Sequence, residues 1–116
     1  MIKLTAFVRR HPDLSVAEFR RHWHEVHGPL IRDTPALARH IARYEQAPTV
    51  DQAHSGGYDG VAVIWFDSME GFRAFVSEPA YRDLVAPDER RLLDTDATRI
   101  AFCEVDASVC VVDRSR

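Results

Sequence analysis

Two apolar segments with the two-residue period of strands, two capped amphipathic helices, and the order in which they alternate predict an α+β chain. The order is β-α-β-β-α-β, the ferredoxin-like split βαβ arrangement, in which two helices cover one face of a four-stranded antiparallel sheet. At 116 residues the chain suits one domain over residues 1–116. Apolar residues at 46% and charged residues at 28% match a globular protein rather than a disordered or membrane chain.

The first strand is read over Ile2–Arg10, where Leu4, Ala6 and Val8 alternate with Lys3, Thr5, Phe7 and Arg9. After the turn HPD, a helix opens at Ser15 with Glu18 three positions on and with Leu14 and Phe19 as a hydrophobic staple. It is expected to run from Val16 to His27, where Gly28-Pro29 breaks or re-aims it. A second strand is read over Arg39–Gln46, placing His40, Ala42, Tyr44 and Gln46 on one face. Tyr58–Phe66 (YDGVAVIWF) is β-branched, aromatic and nearly uncharged, as a central strand covered on both faces should be. The next helix is capped by Asp67 or Ser68, turns Phe72, Phe75 and Val76 inward and stops at Pro79. AYRDLVAPDERRLLD continues in short helical turns, its charged run read as a solvated face without a catalytic role. TRIAFCEVDASVCVV closes the chain as one long strand or two strands split near Asp106 to Ser108.

Several function classes are excluded by composition and motif. The formal charge of -3 and pI near 6.0 leave no basic excess for nucleic acid. No apolar run approaches the roughly 20 residues of a membrane span, and MIKLTAFVRR lacks the form of a signal peptide, so a cytoplasmic location without membrane association is expected. Cys103 and Cys110 fit neither a redox CxxC motif nor a zinc site and are expected to be buried thiols. SGGYDG precedes a strand rather than joining a strand to a helix, so it is no phosphate loop. With no cofactor motif and no serine nucleophile elbow, the expected chemistry uses side chains and substrate alone, with no cofactor.

EFRRHWHEVHGPL, Glu18 to Leu30, crowds His22, His24 and His27 onto one helix. At about 100° per residue, Val16, Phe19, Trp23, Val26 and Leu30 form the stripe facing the sheet, with His27 at its edge. His22 and His24 fall outside that stripe and point apart, so they read as solvated flank and the three histidines do not converge. HEVH spaces its histidines by three rather than four and lacks a third ligand, so no metal site is expected. His27 stands in the last turn before Gly-Pro, where an imidazole can accept and return a proton near neutrality. Spacing alone leaves a satisfied core histidine and a catalytic one both open.

VRRHPDLSVAEFRRHWHEVHGPL, followed by RYEQ and YDGVAVIWFDS, resembles the EthD family of the dimeric α+β barrel superfamily. The shared pattern is a strand ending in Arg, Ser-x-x-x-Phe, Trp-x-x-x-His-Gly-Pro, an Arg-Tyr element and a Tyr-Asp-Gly strand ending in Trp-Phe. The resemblance implies a cleft between helices and sheet, with Phe19, Trp23 and His27 on its helix wall. It makes His27 the acid-base group and Tyr44 its partner, a phenol that steadies substrate oxygen, although Tyr44 also reads as a core tyrosine. Asp59 and Trp65 match the family's strand as substrate-binding candidates, while a loop pin and a core residue are their alternative readings. His40 shares the parity of Tyr44 and is carried as a further cleft residue.

The activities this implies are dehydration, decarboxylation, cyclisation or isomerisation of a small hydrophobic, aromatic or polyketide-derived carbonyl compound. A cofactor-free monooxygenase and a non-catalytic carrier of a hydrophobic metabolite are the alternatives. A four-stranded sheet with one bare apolar face further predicts a homodimer through that open face.

Overall fold

A computed structural model describes residues 1–115. Its four strands, β1 (Ile2–Val8), β2 (Arg43–Pro48), β3 (Gly60–Phe66) and β4 (Arg99–Glu104), form one open antiparallel sheet in the order β2-β3-β1-β4. The expected α+β, ferredoxin-like architecture is therefore present. Leu4, Ala6 and Val8 pair with Ile64, Ala62 and Gly60, and this parity faces the helices. The opposite parity, including Phe7, Val61, Val63 and Trp65, lies on the open face.

Helix α1 (Val16–His22) starts with the expected capping box: Ser15 Oγ accepts from the Glu18 amide, and Glu18 accepts from the Ser15 amide. The chain does not break at Gly-Pro. It passes through a π-helical turn (Trp23–His27) into α2 (Gly28–Arg32), with the Gly28 amide bonded to the Trp23 carbonyl. A short α3 (Pro35–Ala38) follows. Helix α4 (Met69–Ser77) is capped by Ser68, and a second π-helical turn (Tyr81–Val85) leads into α5 (Ala86–Leu92), with the Ala86 amide on the Tyr81 carbonyl.

The two π turns share a local cause. In WHEVHGP and YRDLVAP an aromatic residue stands six positions before a proline. A proline ring inside a helix clashes with the carbonyl four residues back, here that of Glu25 or Asp83, and the helix widens to i→i+5 bonding instead of ending. This changes which residues face inward. Phe19, Trp23, His27 and Ile31, spaced by four, are buried, whereas Val26 is exposed; Val16, at the start of α1 and ahead of the π turn, is also exposed. The expected stripe assumed about 3.6 residues per turn throughout, and the π turn overturns it beyond Trp23.

Three other expectations are corrected. The second strand begins at Arg43, because the backbone at His40 and Ile41 is still turning off α3 through bonds to Leu37 and Ala38. Among the described residues none beyond Glu104 forms a strand; Asp106 caps a 3₁₀ turn, Ala107–Val109. Cys103 and Cys110 are both exposed, because β4 is an edge strand and Cys110 lies past it.

Candidate active site

The π turn at Trp23–His27 and helix α5 pack together over the sheet. Between helices and sheet lies a cavity of about 230 Å³, lined by Trp23, His27, Ile31, Tyr44, Tyr81 and Glu89 together with apolar residues of β1, β3, α4 and β4. Phe66, Phe72 and Phe75 form much of its apolar wall.

His27 is 5% exposed, and its Nδ1 lies 2.7 Å from Oδ2 of Asp88, itself 4% exposed. The other carboxylate oxygen, Oδ1, lies 2.7 Å from His22 Nε2. An ionised carboxylate only accepts, so each imidazole donates to it. Burial acts to raise the Asp88 pKa, but the bonds from His27 and then His22 outweigh it and hold the carboxyl below its ordinary value. With Nδ1 committed to Asp88, His27 keeps Nε2 for the cavity.

On an α-helix, residues five apart diverge by about 140°. The wider π turn between His22 and His27 lets both reach one carboxylate. These two histidines therefore converge, contrary to the expectation from regular helix geometry. His22 is a half-buried partner of Asp88 rather than a solvated flank. His24 stacks on Trp23 with ring centroids 5.3 Å apart, and its Nδ1 lies 2.7 Å from Gln46 Oε1.

Gln46 extends this order to the sheet. Its amide nitrogen donates to the Trp23 carbonyl and to the Tyr44 hydroxyl, each at 3.0 Å. Because the Trp23 carbonyl can only accept, the amide has one workable orientation, and His24 Nδ1 must be the donor to Oε1. The Tyr44 oxygen thus accepts from Gln46, and its own proton is available to a ligand. Burial pushes the Tyr44 pKa up, partly opposed by the bonds from Gln46 and Trp23. Gly28 and Gly60 permit this close packing. A Cβ on Gly28 would lie 2.9 Å from the Gln46 amide nitrogen, and one on Gly60 would lie 2.6 Å from the Trp23 ring.

The sequence-derived residues separate into two groups. His27, Tyr44 and Trp23 line the cavity, and Phe19, fully buried, backs Trp23 with ring centroids 5.2 Å apart. Asp59, His40 and Trp65 do not line it. Asp59 is buried at a loop, accepting from the Arg10 amide at 2.9 Å and from the Gln52 side chain. His40, left outside β2, bonds Glu78 Oε1 at 2.8 Å. Trp65 has the opposite parity to Ile64 and Phe66 and lies on the open face, beneath the Arg43 guanidinium at 5.4 Å.

Asp88, Glu89 and Tyr81 are the site residues that the sequence reading missed. Asp88 and Glu89 lie in the charged run APDERRLLD expected to be solvated, and Tyr81 in the helical turn before it. Tyr81 donates to Glu89 Oε1 at 2.8 Å. Burial raises the Glu89 pKa, against opposing effects of the Tyr81 bond and His27. The same burial, with Glu89 beside it, raises that of Tyr81. The usable signal was YRDLVAP, which repeats the spacing of WHEVHGP and sets DE immediately after a helix-widening proline.

Fold and cavity together define a ferredoxin-like α+β protein with a histidine-carboxylate pair between its helices and sheet. The EthD domain model matches residues 11–96, and the chain belongs to the EthD family. An EthD family protein from Bacillus halodurans C-125 is similar at a TM-score of 0.69 and 16% identity, over 91% of this chain and 99% of that one. A dimeric protein of unknown function with a ferredoxin-like fold, from Bacteroides fragilis NCTC 9343, gives 0.67 and 12%, over 90% and 95% of the two chains. SnoaB, a cofactor-independent oxygenase from Streptomyces nogalater, gives 0.63 and 14%, over 94% and 96%. No curated protein matches the chain. Among the described residues no helix is long and apolar enough to cross a membrane.

Proposed function

We propose that this chain is a cofactor-independent enzyme that moves a proton on a small hydrophobic carbonyl compound, with His27 as the base. The observation that carries this reading is the 2.7 Å bond between His27 Nδ1 and Asp88, made on the wall of a largely apolar cavity. A buried carboxylate on one imidazole nitrogen fixes the tautomer, directs the other nitrogen and stabilises the imidazolium that forms when a proton is taken. Tyr44 donates its hydroxyl proton to the substrate carbonyl oxygen as negative charge develops there. Trp23 and the phenylalanines exclude water from the reacting carbon. Dehydration, cyclisation and isomerisation share this enolate-forming step, and decarboxylation reaches the same enolate by loss of carbon dioxide and then takes a proton.

A second reading, cofactor-free oxygenation, draws on the likeness to SnoaB and would pass an enolate or phenolate from the same residues to oxygen. We further propose that the chain is a homodimer through its open sheet face. Phe7, Val61, Val63 and Trp65 make that face apolar, and one similar protein is described as dimeric.

Untargeted mass spectrometry of a small-metabolite extract incubated with wild type and with His27→Gln tests the reaction. A species consumed by wild type and spared by the variant, with loss of water or carbon dioxide or no change of mass, supports proton transfer. Gain of oxygen supports the second reading. Equal consumption by both proteins rules out His27 as the base, and retention of an unchanged compound through dialysis by both makes the chain a carrier.

A further inference from the structure

Asp88 and Glu89 are adjacent on α5 but face different tasks. Asp88 turns both oxygens to His22 and His27 and is closed off from the cavity, whereas Glu89 lines the cavity beside His27 and is held at one oxygen by Tyr81. Asp88 thus serves as the partner that holds His27, and Glu89 is the carboxyl that faces the cavity, in surroundings that favour its proton. The pKa of Asp88 is moved down and that of Glu89 up.

The cavity also limits ligand size. At about 230 Å³ it exceeds the roughly 150 Å³ that holds a benzene, which is room for one ring with its substituents. Tyr44 reaches the cavity from β2 of the sheet and His27, Tyr81 and Glu89 reach it from the helix wall; apart from Thr98 the rest of the lining is apolar.

We infer that Glu89 is the acid of this site and that the substrate is a single-ring β-hydroxy carbonyl compound, which the enzyme dehydrates. The inference rests on the reading of His27 as base. His27 Nε2 takes the proton from the carbon between carbonyl and carbinol, and the C–H electron pair enters the enolate whose oxygen Tyr44 holds. The enolate then expels the β-hydroxyl. The C–O electron pair leaves with the oxygen, which takes the Glu89 proton and departs as water, leaving an α,β-unsaturated carbonyl. The proton on His27 returns to the Glu89 carboxylate, so both groups are restored and no oxidant or reductant is consumed.

The test uses 3-hydroxycyclohexanone in deuterated buffer, with proton NMR following α-carbon exchange and enone formation in the same tube. Wild type should accelerate both. Glu89→Gln, which keeps an acceptor for Tyr81, should lower enone formation about 10²- to 10⁴-fold, the usual span for a lost general acid, and far more than it lowers exchange. Glu89→Asp should recover part of the loss. Enone formation unaffected by Glu89→Gln, or exchange in wild type without water loss, overturns the inference and leaves His27 standing. Absence of both reactions in wild type overturns the His27 reading as well. A fused-ring β-hydroxy ketone, such as a hydroxydecalone, turned over as fast as the single-ring probe overturns the substrate class.

Discussion

His22 and His27 donate to opposite oxygens of the same carboxylate, each 2.7 Å from Asp88. One of these imidazoles is half-buried and the other is at the cavity wall, so Asp88 joins the protein surface to the proposed base. His22→Ala leaves one oxygen of this buried carboxylate without its donor and should lower stability by about 1–3 kcal/mol in urea unfolding. An unchanged unfolding midpoint would show that the His22 bond does not support Asp88.

Asp88→Asn should lower stability near neutrality by about 1–3 kcal/mol, the range for a buried hydrogen bond to a charged group. The folded-state pKa of Asp88 is depressed, so its contribution is present above the unfolded value and is lost as pH falls through the folded one. Urea unfolding at neutral pH should separate wild type from variant, and the gap should close as the medium is made strongly acid. A gap that is constant with pH would contradict the assignment of charge.

Glu89 carries the opposite sign. Its folded-state pKa is raised by burial, so its favourable contribution is full below the unfolded carboxylate value. That contribution is lost as pH rises through the folded value. Relative to Glu89→Gln, wild type should lose stability in thermal melts as pH rises above the ordinary carboxylate value. Parallel melting profiles for the two proteins would count against a buried, protonated Glu89.

Gly60→Ala should destabilise the fold by about 1–3 kcal/mol, as overpacking does, because the new Cβ would meet the Trp23 ring at 2.6 Å. Chemical denaturation measures the loss. Gly28→Ala meets the end of the Gln46 side chain at 2.9 Å and the Trp23 carbonyl only at 3.4 Å, so the same denaturation should show a smaller loss while Tyr44 is released from its Gln46 bond.

On the open face, Trp65→Glu should yield a monomer in light scattering, since it places a charge among Phe7, Val61 and Val63. A variant that keeps the wild-type mass would place the subunit interface elsewhere.

The architecture was legible in the sequence where side chains alternate or cap. Leu4, Ala6 and Val8, the Ser15–Glu18 box and the β3 run each state their structure locally, and each is found in the fold. Of the cavity lining, the sequence made legible only Trp23, His27 and Tyr44 as candidates. The carboxylates of the site were hidden because reading APDERRLLD as surface assumed that a charged run stays in water, while the Pro87 turn rotates Asp88 and Glu89 inward. His22 was misplaced for the same physical reason, a π turn that regular helix arithmetic omits. Trp65 was excluded by parity once Ala62, Ile64 and Phe66 faced the helices.

The most direct test of His27 as an Asp88-held base is α-proton exchange of 3-hydroxycyclohexanone in deuterated buffer, comparing wild type, Asp88→Asn and His27→Gln after each is shown to fold. Wild type should exchange the probe well above buffer, Asp88→Asn more slowly, and His27→Gln at the buffer rate. Exchange by His27→Gln at the wild-type rate would contradict the account.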